Sequence, residues 1–185
     1  GLSVRQTING QPTFYVSPEN FIDTTIRGRF MVQTTADDDF IGFVFGYQRP
    51  VGNETFYDFL LFDWKQSIQT GAQEGFTLCR VNGPGPIGLW THEDPDIQIL
   101  GTRYGSTEGW ADNREYNFEL EYFRDHIRIS IGTREIFNVT GNFSEGRFGF
   151  YNFSQEAVRY RNFSSTISPF DSPRGDFSQL RRLDN

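Results

Sequence analysis

Three consecutive carboxylates, Asp37, Asp38 and Asp39, run directly into Phe40-Ile41-Gly42-Phe43-Val44-Phe45-Gly46-Tyr47-Gln48. Adjacent acids repel one another unless something neutralises them, and a hard cation does so well, since Ca²⁺ is held by oxygen ligands and by carboxylates above all. The same three residues also read as a hydrated acidic turn, because no further ligand is visible in the sequence. Residues 40–48, directly after them, read as a strand on composition. Aromatic and β-branched residues suit a pleated, packed surface, and glycines inside it mark a bulge or a close approach of backbone.

A second concentration of polar chemistry is His92, Glu93, Asp94 and Asp96, beside Trp90 in a stretch from 87 to 112 that reads mostly as loop. It can be read as a second Ca²⁺ site, as the rim of a ligand site, or as an ordinary hydrated loop. Trp90, Tyr104 and Trp110 are the aromatics of this stretch that a sugar ring could stack on; their alternative role is to plug the open edge of the core. Glu119 and Glu121 share a strand face about 6.6–7 Å apart, within the spacing of glycosidase carboxylate pairs. They alternate with Phe118, Leu120 and Tyr122 as a solvated face does, and no third carboxylate converges on them. No catalytic residue is therefore assigned. Asp58 and Asp63 lie five apart on a strand, hence on opposite faces.

Five N-glycosylation sequons start at Asn53, Asn138, Asn142, Asn152 and Asn162, against about 1.6 that 11 Asn and 27 Ser or Thr give by chance. They carry meaning if the source is eukaryotic. Arg174-Gly175-Asp176, in a polar tail with Pro169 and Pro173, is the tripeptide that integrins read. The one cysteine, Cys79, makes no internal disulfide and fits no zinc or redox spacing; in Phe76-Thr77-Leu78-Cys79-Arg80-Val81 it reads as a small buried hydrophobe.

The elements that must position these groups are strands. Residues 21–35, 40–48, 55–66, 75–82, 116–122, 127–131, 135–140, 146–154 and 158–163 alternate or run apolar with strand spacing, and no segment has a helical period. Residues 55–66 are apolar on both faces, as a central strand between two packed layers is. With 20 Phe, 8 Tyr, 3 Trp and 19 Gly in 185 residues, the economical architecture is all-β, a two-sheet antiparallel jelly-roll sandwich. Residues 1–20 read as a lead-in with one possible edge strand, 21–164 as the sandwich and 165–185 as a polar tail resting on it through Phe170 and Phe177. A net charge of −7 argues against a nucleic-acid partner or an anionic membrane held by charge. No apolar run reaches the ~20 residues of a membrane span. The cations are 16 Arg and a single Lys, Lys65.

Together these motifs resemble the thrombospondin C-terminal domain. Asp37-Asp38-Asp39-Phe40 with Gly42-Phe43-Val44-Phe45-Gly46-Tyr47-Gln48 looks like that family's opening signature. Phe56-Tyr57, Trp64-Lys65-Gln66, Leu89-Trp90, Gly109-Trp110 and Gly146-Arg147-Phe148-Gly149-Phe150-Tyr151-Asn152-Phe153-Ser154-Gln155-Glu156 come after it in the family's order. The resemblance implies a concanavalin-like lectin fold, Ca²⁺ at Asp37, Asp38 and Asp39, an extracellular setting, and adhesion to a cell-surface or matrix protein or to a glycan. The family carries Asp-rich calcium repeats ahead of the domain, and residues 1–20 contain no such repeat. The chain also departs in carrying Tyr57-Asp58-Phe59-Leu60-Leu61-Phe62-Asp63 before the Trp-Lys pair, so receptor binding attributed to that segment is not carried over. A carbohydrate-binding lectin is the alternative.

Overall fold

A computed structural model describes residues 3–48 and 56–167, and the backbone of 181–184. Asn53, the turn at 49–53, Phe170, Phe177 and Arg174-Gly175-Asp176 lie outside the described residues. Among the described residues there are thirteen strands: β1 Ser3–Gln6, β2 Thr13–Phe21, β3 Thr24–Val32, β4 Phe40–Gln48, β5 Phe56–Lys65, β6 Gly75–Pro84, β7 Ile97–Tyr104, β8 Tyr116–Tyr122, β9 His126–Ile131, β10 Arg134–Thr140, β11 Gly146–Phe153, β12 Val158–Ile167 and β13 Arg181–Asp184. They form two antiparallel sheets, in the orders β1-β12-β3-β8-β9-β10 and β13-β2-β11-β4-β5-β6-β7. The sandwich predicted from alternation is the one observed.

Alternation in β4 and β5 sorts side chains between two hydrophobic layers. Ile41, Phe43, Phe45, Leu60, Phe62 and Trp64 enter the core between the sheets, where Phe43 meets Phe62 at 4.7 Å and Phe118 at 4.9 Å between ring centroids. Phe40, Val44, Tyr47, Phe59 and Leu61 form a second cluster on the outer face of the seven-stranded sheet with Phe14, Tyr151 and Cys79. Leu89, Ile87 and Trp90 of the loop between β6 and β7 pack onto it. That is why residues 55–66 read apolar on both faces.

Three differences from the sequence expectations have physical causes. Residues 1–20 supply two strands: Pro18 sits inside β2, and β1 pairs only β12 at a sheet edge, where alternation over four residues is too short to register. The stretch 87–112 contains β7, an edge strand exposed along much of its length, so it lacks the apolar face that marks a strand. The tail adds β13 against β2, pairing Arg181 with Val16 and Asp184 with Thr13. Gly46 bears out the reading of glycine as a bulge marker, with φ +60° at the register shift between Phe45 and Gln48.

Candidate metal centre and ligand face

Register builds the acidic corner. The β4–β5 pairing sets Phe40 opposite Lys65, so the residues just before β4 meet those just after β5. Lys65 is fully buried, and its ammonium donates to Asp38 O at 2.7 Å, to Asp39 Oδ1 at 3.1 Å and to Asp38 Oδ1 at 3.3 Å. The rings of Phe40 and Trp90 stand 5.7 and 5.6 Å from the same nitrogen, close enough for cation–π attraction. The only lysine of the chain is thus an internal counter-ion, which accounts for one cation among 17 departing from arginine: a compact ammonium on a flexible stem fits where a guanidinium fork does not.

Other segments close on the same corner. Ser67 Oγ and Gln69 Nε2 donate to the Asp38 carboxylate, and Asn9 Nδ2 donates to Asp37 Oδ2. Gln155, fully buried, accepts the Asp39 N–H at 2.9 Å, and the Trp110 indole donates to Asp39 O at 3.1 Å. One oxygen from each of Asp37, Asp38 and Asp39 lies within 4.8 Å of the others. Burial, and then the Asp39 charge, push the Asp37 carboxyl up to about 6. Three carboxylates against one ammonium leave an excess of two negative charges in an all-oxygen donor set. Those residues fit a hard divalent cation; the Asp37 shift comes from burial first and from the neighbouring Asp39 charge second.

His92, Asp94 and Asp96 serve the loop over the seven-stranded sheet. His92 Nε2 meets Asp63 Oδ2 at 2.7 Å beneath the loop, with Asp63 fully buried and its other oxygen without a partner among the described residues. Burial disfavours the charged ring, but the Asp63 charge and hydrogen bond outweigh it and hold His92 above its usual range. His92 also sits at φ +56°, in the left-handed region that few non-glycine residues adopt and that His adopts more readily than most. Asp94 accepts the N–H of Gly88 at 2.8 Å and of Asp96 at 2.9 Å, and Asp96 lies against Gly83. Tyr104, on the edge strand, shares a 3.0 Å hydrogen bond with Thr77. Trp110 is buried and braces the acidic corner.

Trp90 is different. Its indole donates to Thr70 O at 3.0 Å, and its ring forms a wall of a cavity of about 490 Å³. Phe14, Tyr57, Phe59, Pro86 and Phe153 form the other walls. Tyr57, Phe59 and Phe153 gave no sequence signal as ligand residues. What separates them from the rest of 31 aromatics is the outward phase of β5 and β11, legible only once the second layer is known.

Glu119 and Glu121 face outward on β8, and each is engaged by an arginine, Arg27 at 2.6 Å and Arg128 respectively. Asn138, Asn142 and Asn162 are exposed. Asn152 is 4% exposed, with its carboxamide oxygen accepting from Tyr160 at 2.9 Å.

The sandwich with an acidic corner defines a concanavalin-like module. Residues 1–168 match the family model for the thrombospondin C-terminal region, and the chain belongs to that family. It is 30% identical to human thrombospondin-3 over 98% of its length and to rat thrombospondin-4 over its whole length, spanning 21% of each. The chain therefore covers about a fifth of the curated relatives it matches, and like them it is extracellular. Among solved structures the fold is similar to a galectin-like protein of unknown function from Bacillus subtilis, at TM-score 0.61 and 11% identity over 90% of this chain and 82% of that one. It is also similar to carbohydrate-binding module CBM66 from Bacillus subtilis, at TM-score 0.58 and 14% identity over 89% and 91%.

Proposed function

We propose that this chain is an extracellular, calcium-binding, non-catalytic adhesion or recognition module. The observation that carries the reading is the acidic corner, where Asp37, Asp38 and Asp39 retain two uncompensated negative charges after Lys65 is counted. Asp37 and Asp39, with Asp38, would hold Ca²⁺, whose role there is to neutralise charge. The protein's own contribution is rigidity. The corner ties together residues 9, 37–39, 65–69, 110 and 155, and Lys65 touches Trp90, so order at the corner extends into the loop that walls the aromatic cavity.

Catalysis finds no support at Glu119 and Glu121, whose carboxylates are spent on arginines. The partner is a cell-surface or matrix protein or a glycan, without nucleic acid; among the described residues no helix is long and apolar enough to cross a membrane. A carbohydrate-binding lectin is the second reading, favoured by the aromatic cavity with Trp90 in its wall. A glycan array read against Trp90→Ala separates the two, since sugar specificity lost in that variant favours the lectin.

Ca²⁺ titration by calorimetry, with melting curves in Ca²⁺ and in chelator, tests the metal. A saturable isotherm and a raised melting temperature, both lost in Asp37→Asn/Asp39→Asn, are expected. No heat and no shift would leave the fold intact and remove the calcium.

A further inference from the structure

One of the side chains that close the acidic corner is neutral only for as long as its amide lasts. Asn9, whose Nδ2 donates to Asp37 Oδ2, is followed by Gly10. In an Asn-Gly pair the backbone nitrogen of the glycine can attack the carboxamide carbon of the asparagine, and glycine has no β-carbon to hinder the approach. The chain contains two such pairs, Asn9-Gly10 and Asn82-Gly83, and their surroundings differ.

Asn82 lies in β6, where its N–H donates to Asp96 O at 2.9 Å, and strand alternation turns the N–H of the buried Gly83 toward Tyr57 in β5. The nucleophile of that pair is tied into the sheet. Asn9 is exposed in the connection between β1 and β2, outside any strand. Gly10 O accepts from Ser154 N at 2.8 Å, but the Gly10 N–H has no hydrogen-bond partner among the described residues. Asn9 Oδ1 accepts from Ser154 Oγ at 3.2 Å. That donor sits on the oxygen that gathers negative charge when the carboxamide carbon is attacked.

We infer that Asn9 is a deamidation site whose conversion adds a fourth carboxylate to the acidic corner. The Gly10 nitrogen gives its proton to solvent and bonds to Asn9 Cγ; the Cγ–Nδ2 bond then breaks, and ammonia leaves with a proton taken from water. A second water opens the resulting succinimide ring at either carbonyl, giving aspartate or isoaspartate. Both products set a carboxylate where an amide donated to Asp37. Isoaspartate also routes the backbone through the former side chain, which lengthens the chain between Ile8 and Gly10 by one carbon. Four carboxylates then stand against Lys65, an excess of three negative charges where the fresh chain has two. The charge of the corner grows with the age of the molecule and does not return. The reaction itself needs no calcium; only its effect on a bound metal rests on the function proposed above.

The test is peptide mass mapping of the whole chain after long incubation in chelator at neutral pH and body temperature. The mass gain of an amide turned to an acid is expected at Asn9, as aspartate and as isoaspartate (the latter labelled by an isoaspartyl methyltransferase), while Asn82 keeps its amide. Gly10→Ala should slow the reaction several-fold and melt no lower than the parent, because a β-carbon there meets only Ile8 Cγ2 at 3.8 Å. Asn9→Asp, which carries the product charge from the start, should melt below the parent in chelator. An Asn9 amide that outlasts or merely matches that of Asn82, or a Gly10→Ala chain that deamidates as fast as the parent, would overturn the inference. Equal melting of Asn9→Asp and the parent would overturn it too, by placing the new carboxylate outside the corner. The mass readings hold whether or not Ca²⁺ binds.

Discussion

Lys65 decides how the acidic corner behaves without metal. It is a buried cation held by two carboxylates and a carbonyl, and removing one member of such a set strands the rest. Lys65→Met is expected to cost on the order of 3–5 kcal/mol, read as a lower midpoint in urea with chelator present. In Ca²⁺ the variant should recover more stability than the parent gains, because a third negative charge is then free to meet the ion. The three aspartates were legible as a chemical cluster from the sequence. Their counter-ion was not, because Lys65 lies 26 residues from Asp39 and meets it only through the β4–β5 register. One signal was present: a lone lysine closing an apolar strand, in a chain that otherwise uses arginine.

Among elements, the loop between β6 and β7 is the one held by a titratable latch. It is held to the sheet by the His92–Asp63 pair and the packing of Ile87 and Leu89, and to the turn between β5 and β6 by the Trp90 indole on Thr70 O. Asp63 raises the His92 pKa in the folded chain above the 6.5 of the unfolded one. A raised basic group contributes stability that is present in full below about 6.5 and lost as pH rises through the folded value. Amide hydrogen exchange over residues 88–97, corrected for its intrinsic pH dependence, should therefore quicken as pH rises above 6.5, and His92→Gln should flatten that change. Strand alternation gave β3, β4, β5, β8, β9 and β11 because each has a buried face. It missed β1, β7 and β13 because edge strands need no such face, and it left His92 open between a metal site, a ligand rim and a hydrated loop, because its partner Asp63 lies 29 residues away inside an apolar strand.

At the scale of the molecule, the two broad faces differ in chemistry. The seven-stranded sheet is covered by aromatics and a loop, whereas the six-stranded sheet presents arginines, glutamates and the exposed sequons Asn138 and Asn162, with Asn142 at its end. If the chain is made in a eukaryotic secretory pathway, peptide mass mapping should find glycans at Asn138, Asn142 and Asn162. None is expected at Asn152, whose carboxamide is packed beneath the sheet with no room for a sugar. The sequons were countable in the sequence, but which face each one pointed to required the register of β11 and β12. Lys65 has one last consequence, for the bench. With its single lysine sealed inside, the folded module offers no side-chain amine to acylating dyes, aldehyde fixatives or amine-coupled sensor surfaces. Any acyl group found on Lys65 would then count molecules whose acidic corner has come apart, making the residue a built-in reporter of opening.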